Sequence, residues 1–195
     1  MVRPDVSVST WNRGETFGSM GDCGHRWEGP AGPVTLPREA VLCSPLMPRT
    51  YRAMTPDHAD PDRPAIGRSA RMLGIRPPPG GNDVHPDDRG NVGPICEGMS
   101  VAPSVATLPH HRCPPRLRHL HPGAEGKDAD RVFAMGEGPF QAGIVASGLK
   151  LCPDKPNPTS GIIEHGVVEP DAETPLTDYE RRLAETQGTW RIDET

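Results

Sequence analysis

The stretch HHRCPPRLRHLH, residues 110–121, places His110, His111, Cys113, His119 and His121 within twelve positions. Zinc prefers imidazole and thiolate ligands, commonly as two close pairs converging on a tetrahedron. Cys113 with His110 or His111 would form one pair, and His119 with His121 the other. No second anchor of two spaced cysteines follows, and Pro114 and Pro115 stiffen the chain directly after Cys113. On a strand, His119 and His121 would share one face, which suits joint ligation and equally suits two exposed imidazoles. Arg112, Arg116 and Arg118 are basic, but no aromatic residue interleaves with them and the chain carries a net charge of −5. That is not a nucleic-acid signature. The stretch reads as a loop, no metal ligand set is assigned, and a metal-binding protein built on residues 110–121 stands third among the functions considered.

A second candidate is IIEHGVVEP, residues 162–170. Glu164 and His165 are residue types that move protons, and regular strand alternation would turn them to opposite faces. Gly166 permits a bulge that re-aims one of them. Thiol catalysis would need a cysteine converging with a histidine and an acid, and none of the five cysteines has a distinguishing setting. GEGPF (136–140) and GGNDVHPDDRG (80–90) are glycine-rich, yet neither has phosphate-loop spacing before Lys-Ser/Thr.

The elements that must position these groups are short. Residues 98–104, 131–136, 143–151 and 161–169 are runs rich in β-branched or apolar residues, bounded by Gly or Pro, and are predicted strands. An extended piece at 49–54 precedes them, with a short helical turn expected at 67–75. Thr177 followed by Glu180 predicts a helix opened by a capping box. Asp178 and Arg182 are placed for an i, i+4 ion pair, Gly188 for a stop, and WRID (190–193) for a last strand. The pattern is an α+β domain of short strands, long Pro/Gly-rich loops and a late helix, over residues 47–195.

Residues 1–46 show neither a helical nor a strand period and are expected to be loose and disordered. Across the 195 residues, Leu, Ile, Val and Phe number only 34, while 22 glycines and 25 prolines favour loops. No apolar run approaches the roughly 20 residues of a membrane span. The N-terminus lacks a secretory signal, so the protein is expected in the cytoplasm or exported without a signal peptide. Cys23, Cys43, Cys96, Cys113 and Cys152 are an odd count at irregular spacing, so reduced thiols are expected.

Three stretches in order, TYRAM (50–54), DRGNVGPICEGMSVAP (88–103) and HGVVEPDAETPLTDYERRLAET (165–186), resemble a small bacterial toxin family. That family has an ADP-ribosyltransferase-like fold, and its best-known member is a type VI secretion effector. The resemblance implies NAD as substrate, an unidentified macromolecular target and an immunity partner. It makes Arg52, beside Tyr51, the first-strand basic residue that cradles the dinucleotide. Ser100 would buttress the nicotinamide pocket and His165 would open the late strand. Glu164 or Glu169 would supply the anion near the ribose. The second strand carries one serine where broader transferases have two, and no Glu-x-Glu or Gln-x-Glu loop is present. The leading expectation is therefore an NAD-linked ADP-ribosyltransferase-like toxin with His165, Ser100 and Glu164 catalytic. The rival is a non-enzymatic interaction protein that keeps the fold.

Overall fold

The computed structural model describes residues 46–195. The disorder expected for residues 1–46 falls, Leu46 apart, outside the described residues. The architecture is α+β, with antiparallel sheets and one late α-helix.

The first strand, β1 (Thr50–Met54), is TYRAM, buried along its whole length. It pairs antiparallel with β4 (Arg131–Met135), which in turn pairs with β9 (Arg191–Ile192). A second sheet has the order β3 (Met99–Val101), β7 (Gly166–Pro170), β6 (Leu149–Pro153), β5 (Gly143–Ala146). The two sheets are stitched together where Tyr51 and Ala102 exchange both backbone hydrogen bonds, at 2.8 and 2.9 Å. β1 and β3 thus meet side by side. β2 (Asn91–Val92) and β8 (Thr174–Pro175) form a separate two-residue ladder.

Strand alternation splits the interior in two. Phe133 and Met135 face a large core with Met54, Leu73, Ile75, Leu151, Val168 and Trp190. Val132 and Ala134 face a smaller core with Ala53, Val105, Leu108, Cys113 and Leu117. The segment between β3 and β4 supplies most of that second core, and so its loops cannot wander.

The late helix, α1 (Leu176–Glu185), buries Tyr179 and Leu183, one turn apart. The Tyr179 hydroxyl donates to the Val168 carbonyl and accepts from the Met99 amide at 3.1 Å, gripping β7 and β3 together. Burial pushes the Tyr179 phenol well above its ordinary range.

Several expectations change in the folded chain. The expected capping box is absent: Pro175 is the N-cap, Thr177 lies inside the helix, and Glu180 receives a two-pronged bond from Arg68. Asp178 pairs with Arg181, and Arg182 reaches Asp171 instead. Residues 67–75 form turns without a helix, because Gly67 and Leu73 are held by backbone bonds to Leu73 and Ala65. The run 143–151 is a hairpin rather than one strand, turned at Gly148, whose φ of 72° favours glycine. The expected strand 161–169 begins only at Gly166 and runs to Pro170.

The cysteines also depart from expectation. Cys96 and Cys152 form a disulfide across 56 residues, with Cα atoms 5.6 Å apart. Irregular spacing concealed it because topology, not sequence distance, brings β6 beside the loop before β3. Cys113 is free and buried. Among the described residues no helix is long and apolar enough to cross a membrane.

Candidate functional site

At the junction of the two sheets lies a cavity of about 360 Å³. Its walls include Tyr51, Arg52, Ser100, Glu164 and His165. β1 supplies the first two and β3 the third, as neighbours across the seam. Glu164 and His165 come from the last residues of the loop before β7, not from the strand itself, so both face one space and no bulge is needed.

Arg52 is the unusual group. It is 7% exposed, and no carboxylate lies within ion-pair distance among the described residues. Its guanidinium donates to the carbonyl of Ser100, to that of Ala70 at 3.2 Å and to that of Met72 at 3.5 Å. Among the described residues its Nε has no hydrogen-bond partner. Burial pushes its pKa down to about 10, because desolvation disfavours the charged form.

Two further arginines line the cavity. Arg76 is spoken for: it grips Asp83 with a two-pronged bond at 3.1 and 2.7 Å, which raises its pKa. Arg112 has no ion-pair partner among the described residues. Partial burial, and then the nearness of Arg76 and Arg71, lower its pKa. Arg52 and Arg112 thus line one cavity without an ion-pair partner among the described residues, a setting that favours an anion.

Groups of the opposite chemistry line the same cavity. His165 Nδ1 lies 2.8 Å from Asp154 Oδ2. A neutral imidazole that donates Nδ1–H to Asp154 keeps Nε2 as a lone-pair acceptor. Glu164 is exposed, and its Oε1 accepts from Asn157 Nδ2 and Ser160 Oγ, each at 3.3 Å. Tyr51 contributes its ring; its hydroxyl donates to Asp193 Oδ2 at 3.0 Å, away from this chemistry.

Glu169, the alternative anion, is elsewhere. It is buried under the disulfide, accepting the Cys96 amide at 2.6 Å. The histidine-rich stretch, expected to be a loop, is a run of turns. Residues 115–117 form a single 3₁₀ turn, and His119 points outward. His121 is buried, its Nε2 2.7 Å from the Leu108 carbonyl and its ring edge-on to His110. The only group of three potential metal ligands among the described residues lies at Cys96, Cys152 and Glu169. What the stretch gives the cavity is His111 and Arg112.

Sequence reasoning missed Asp154, Arg76 and Arg112 as site groups. Arg112 stood in the sequence only as one of three arginines in a histidine-rich stretch, with nothing to set it apart. Asp154 carried no signal.

The chain matches no family model, no curated protein and no solved structure.

Proposed function

We propose that the cavity binds NAD and that the protein is an ADP-ribosyltransferase-like toxin acting on an unidentified cellular target. The observation that carries this reading is Arg52: a buried guanidinium with an unpartnered Nε, on the wall of a cavity that also holds Glu164 and His165. An anionic ligand would relieve its desolvation, and a pyrophosphate offers oxygens to both Arg52 and Arg112.

Cleavage of the bond between nicotinamide and ribose builds positive charge on the sugar. A carboxylate placed at that charge lowers the barrier by electrostatic stabilisation. Glu164 is the cavity carboxylate free of an arginine, so it takes this role. His165, with Nδ1 fixed by Asp154, accepts a proton from the attacking hydroxyl at Nε2. Ser100 holds Arg52 in place through its carbonyl and offers its hydroxyl to the cavity. Water serves as the default acceptor where the macromolecular target is absent.

The test is release of nicotinamide when purified protein is incubated with NAD, measured by chromatography. Time-dependent release, abolished by Arg52→Ala and by His165→Ala in folded protein, supports the reading. No release, together with no NAD binding by calorimetry, overturns it. Growth arrest on expression that survives both substitutions would favour an interaction protein instead.

A further inference from the structure

The disulfide stands on a chemically loaded spot. Lys150 and Cys152 alternate onto one face of β6, and their cross-strand partners on β7 are Glu169 and Val167. Cys96 arrives from the loop before β3 and closes over them. The two sulfur atoms and a carboxylate oxygen of Glu169 all lie within 4.8 Å of one another. The Glu169 side chain is only 2% exposed, and its other neighbour is Lys150 Nζ at 3.6 Å. Cys96 is exposed, so the cluster has one open side.

We propose that, once the disulfide is reduced, Cys96, Cys152 and Glu169 form a zinc site, with water in the fourth position. Two thiolates and one carboxylate are a ligand set zinc accepts, at sulfur distances of roughly 2.3 Å and oxygen distances of roughly 2.1 Å. Sulfurs bound to one tetrahedral zinc stand about 3.8 Å apart, a separation the side chains reach by rotation once the covalent bond is gone.

The charges balance in both states. With the disulfide intact, the Glu169 carboxylate faces the Lys150 ammonium, and the pair is neutral. Reduction by a dithiol breaks the S–S bond, and two electrons and two protons pass to Cys96 and Cys152 while the dithiol becomes a disulfide. Zinc then displaces both thiol protons to solvent. The centre of Zn²⁺, two thiolates and one carboxylate carries a single negative charge, which Lys150 offsets. Zinc is thus excluded by oxidation and admitted by reduction.

The experiment uses the full chain with Cys23→Ser and Cys43→Ser, so that the only other thiol is the buried Cys113. Protein is reduced with dithiothreitol, desalted without oxygen, and titrated with Zn²⁺ and separately with Co²⁺. The expected result is one zinc per chain in reduced protein and none in oxidised protein. Cobalt should give a thiolate charge-transfer band. Glu169→Gln retains an acceptor for the Cys96 amide and should weaken zinc at least tenfold. Cys96→Ser with Cys152→Ser should abolish the cobalt band. Absence of zinc from folded, reduced protein overturns the proposal, as does equal binding by oxidised protein or by the Glu169→Gln variant.

Discussion

His165 Nδ1 and Asp154 Oδ2 meet at 2.8 Å at the two ends of one loop, where Asp154 N also donates to the His165 carbonyl at 3.0 Å. The loop is closed twice by the same two residues, once through backbone and once through side chains. This fixes the imidazole's orientation at the cavity wall, although both side chains are half in solvent.

Asp154→Asn removes the negative partner and leaves the backbone clasp. An exposed pair of this kind contributes little to stability, typically about 0–1 kcal/mol, so the melting temperature should barely move. Nicotinamide release should fall tenfold or more, because the imidazole loses its fixed tautomer. Unchanged release in Asp154→Asn would show that Asp154 does not position His165 for chemistry.

Arg52→Ala should weaken binding of NAD, or of pyrophosphate alone, by roughly ten- to a hundredfold, the worth of one charge-assisted contact. Calorimetry on the two ligands separates the phosphate contact from the rest of the dinucleotide. Equal affinity for pyrophosphate in wild type and variant would remove Arg52 from the site.

The same guanidinium gives a pH signature of defined sign. Its pKa is lowered from the ordinary arginine value to about 10 in the folded chain. Below pH 10 both folded and unfolded chains hold the proton, and the unfavourable contribution of Arg52 is constant. As pH rises through 10 the native state releases a proton the unfolded chain keeps, so the contribution to stability rises with pH. By pH 10.5 the gain is on the order of 1 kcal/mol. Urea unfolding at pH 9 and 10.5, comparing wild type with Arg52→Met, should show the difference between the two changing in favour of wild type. A difference independent of pH would show that Arg52 titrates normally.

His119 and His121 differ although two residues apart. His121→Ala leaves the Leu108 carbonyl without its side-chain partner and opens space beside His110, costing about 1–3 kcal/mol. His119→Ala is a surface change, expected within about 0.5 kcal/mol. Thermal melts of the two variants check this, and equal melting temperatures would refute the buried placement of His121.

What the sequence made legible was local. TYRAM and RVFAM show as strands because their residues are β-branched, aromatic or apolar and turn residues bound them. The pair Glu164–His165 was visible as chemistry, yet its geometry was not, since the strand starts at Gly166, five residues later than the β-branched run suggests. Arg68 took Glu180 from the expected cap across 112 residues, a competition no local window contains. The disulfide, across 56 residues, was hidden for the same reason. Each depends on which loops the sheet order brings together.

Tyr179 offers the last test, and it joins the helix to the site. Its hydroxyl serves β7 through Val168 and β3 through Met99, one residue before Ser100. Tyr179→Phe keeps the ring in the core but leaves a buried carbonyl and a buried amide each short of a partner. The cost of such orphaned groups is about 1–3 kcal/mol apiece, so the combined loss should be several degrees in melting temperature. Gly98→Ala attacks the same junction from the other side. Its Cβ would stand 2.2 Å from the Val168 carbonyl oxygen and 2.6 Å from the Tyr179 hydroxyl, which forces β3 away from β7. Because Ser100 holds Arg52 through its carbonyl, displacement of β3 should also weaken pyrophosphate binding. Melting temperature and pyrophosphate affinity should therefore fall together in Gly98→Ala. A variant that loses stability and binds pyrophosphate as wild type does would show that the helix-to-strand clasp and the cavity are independent.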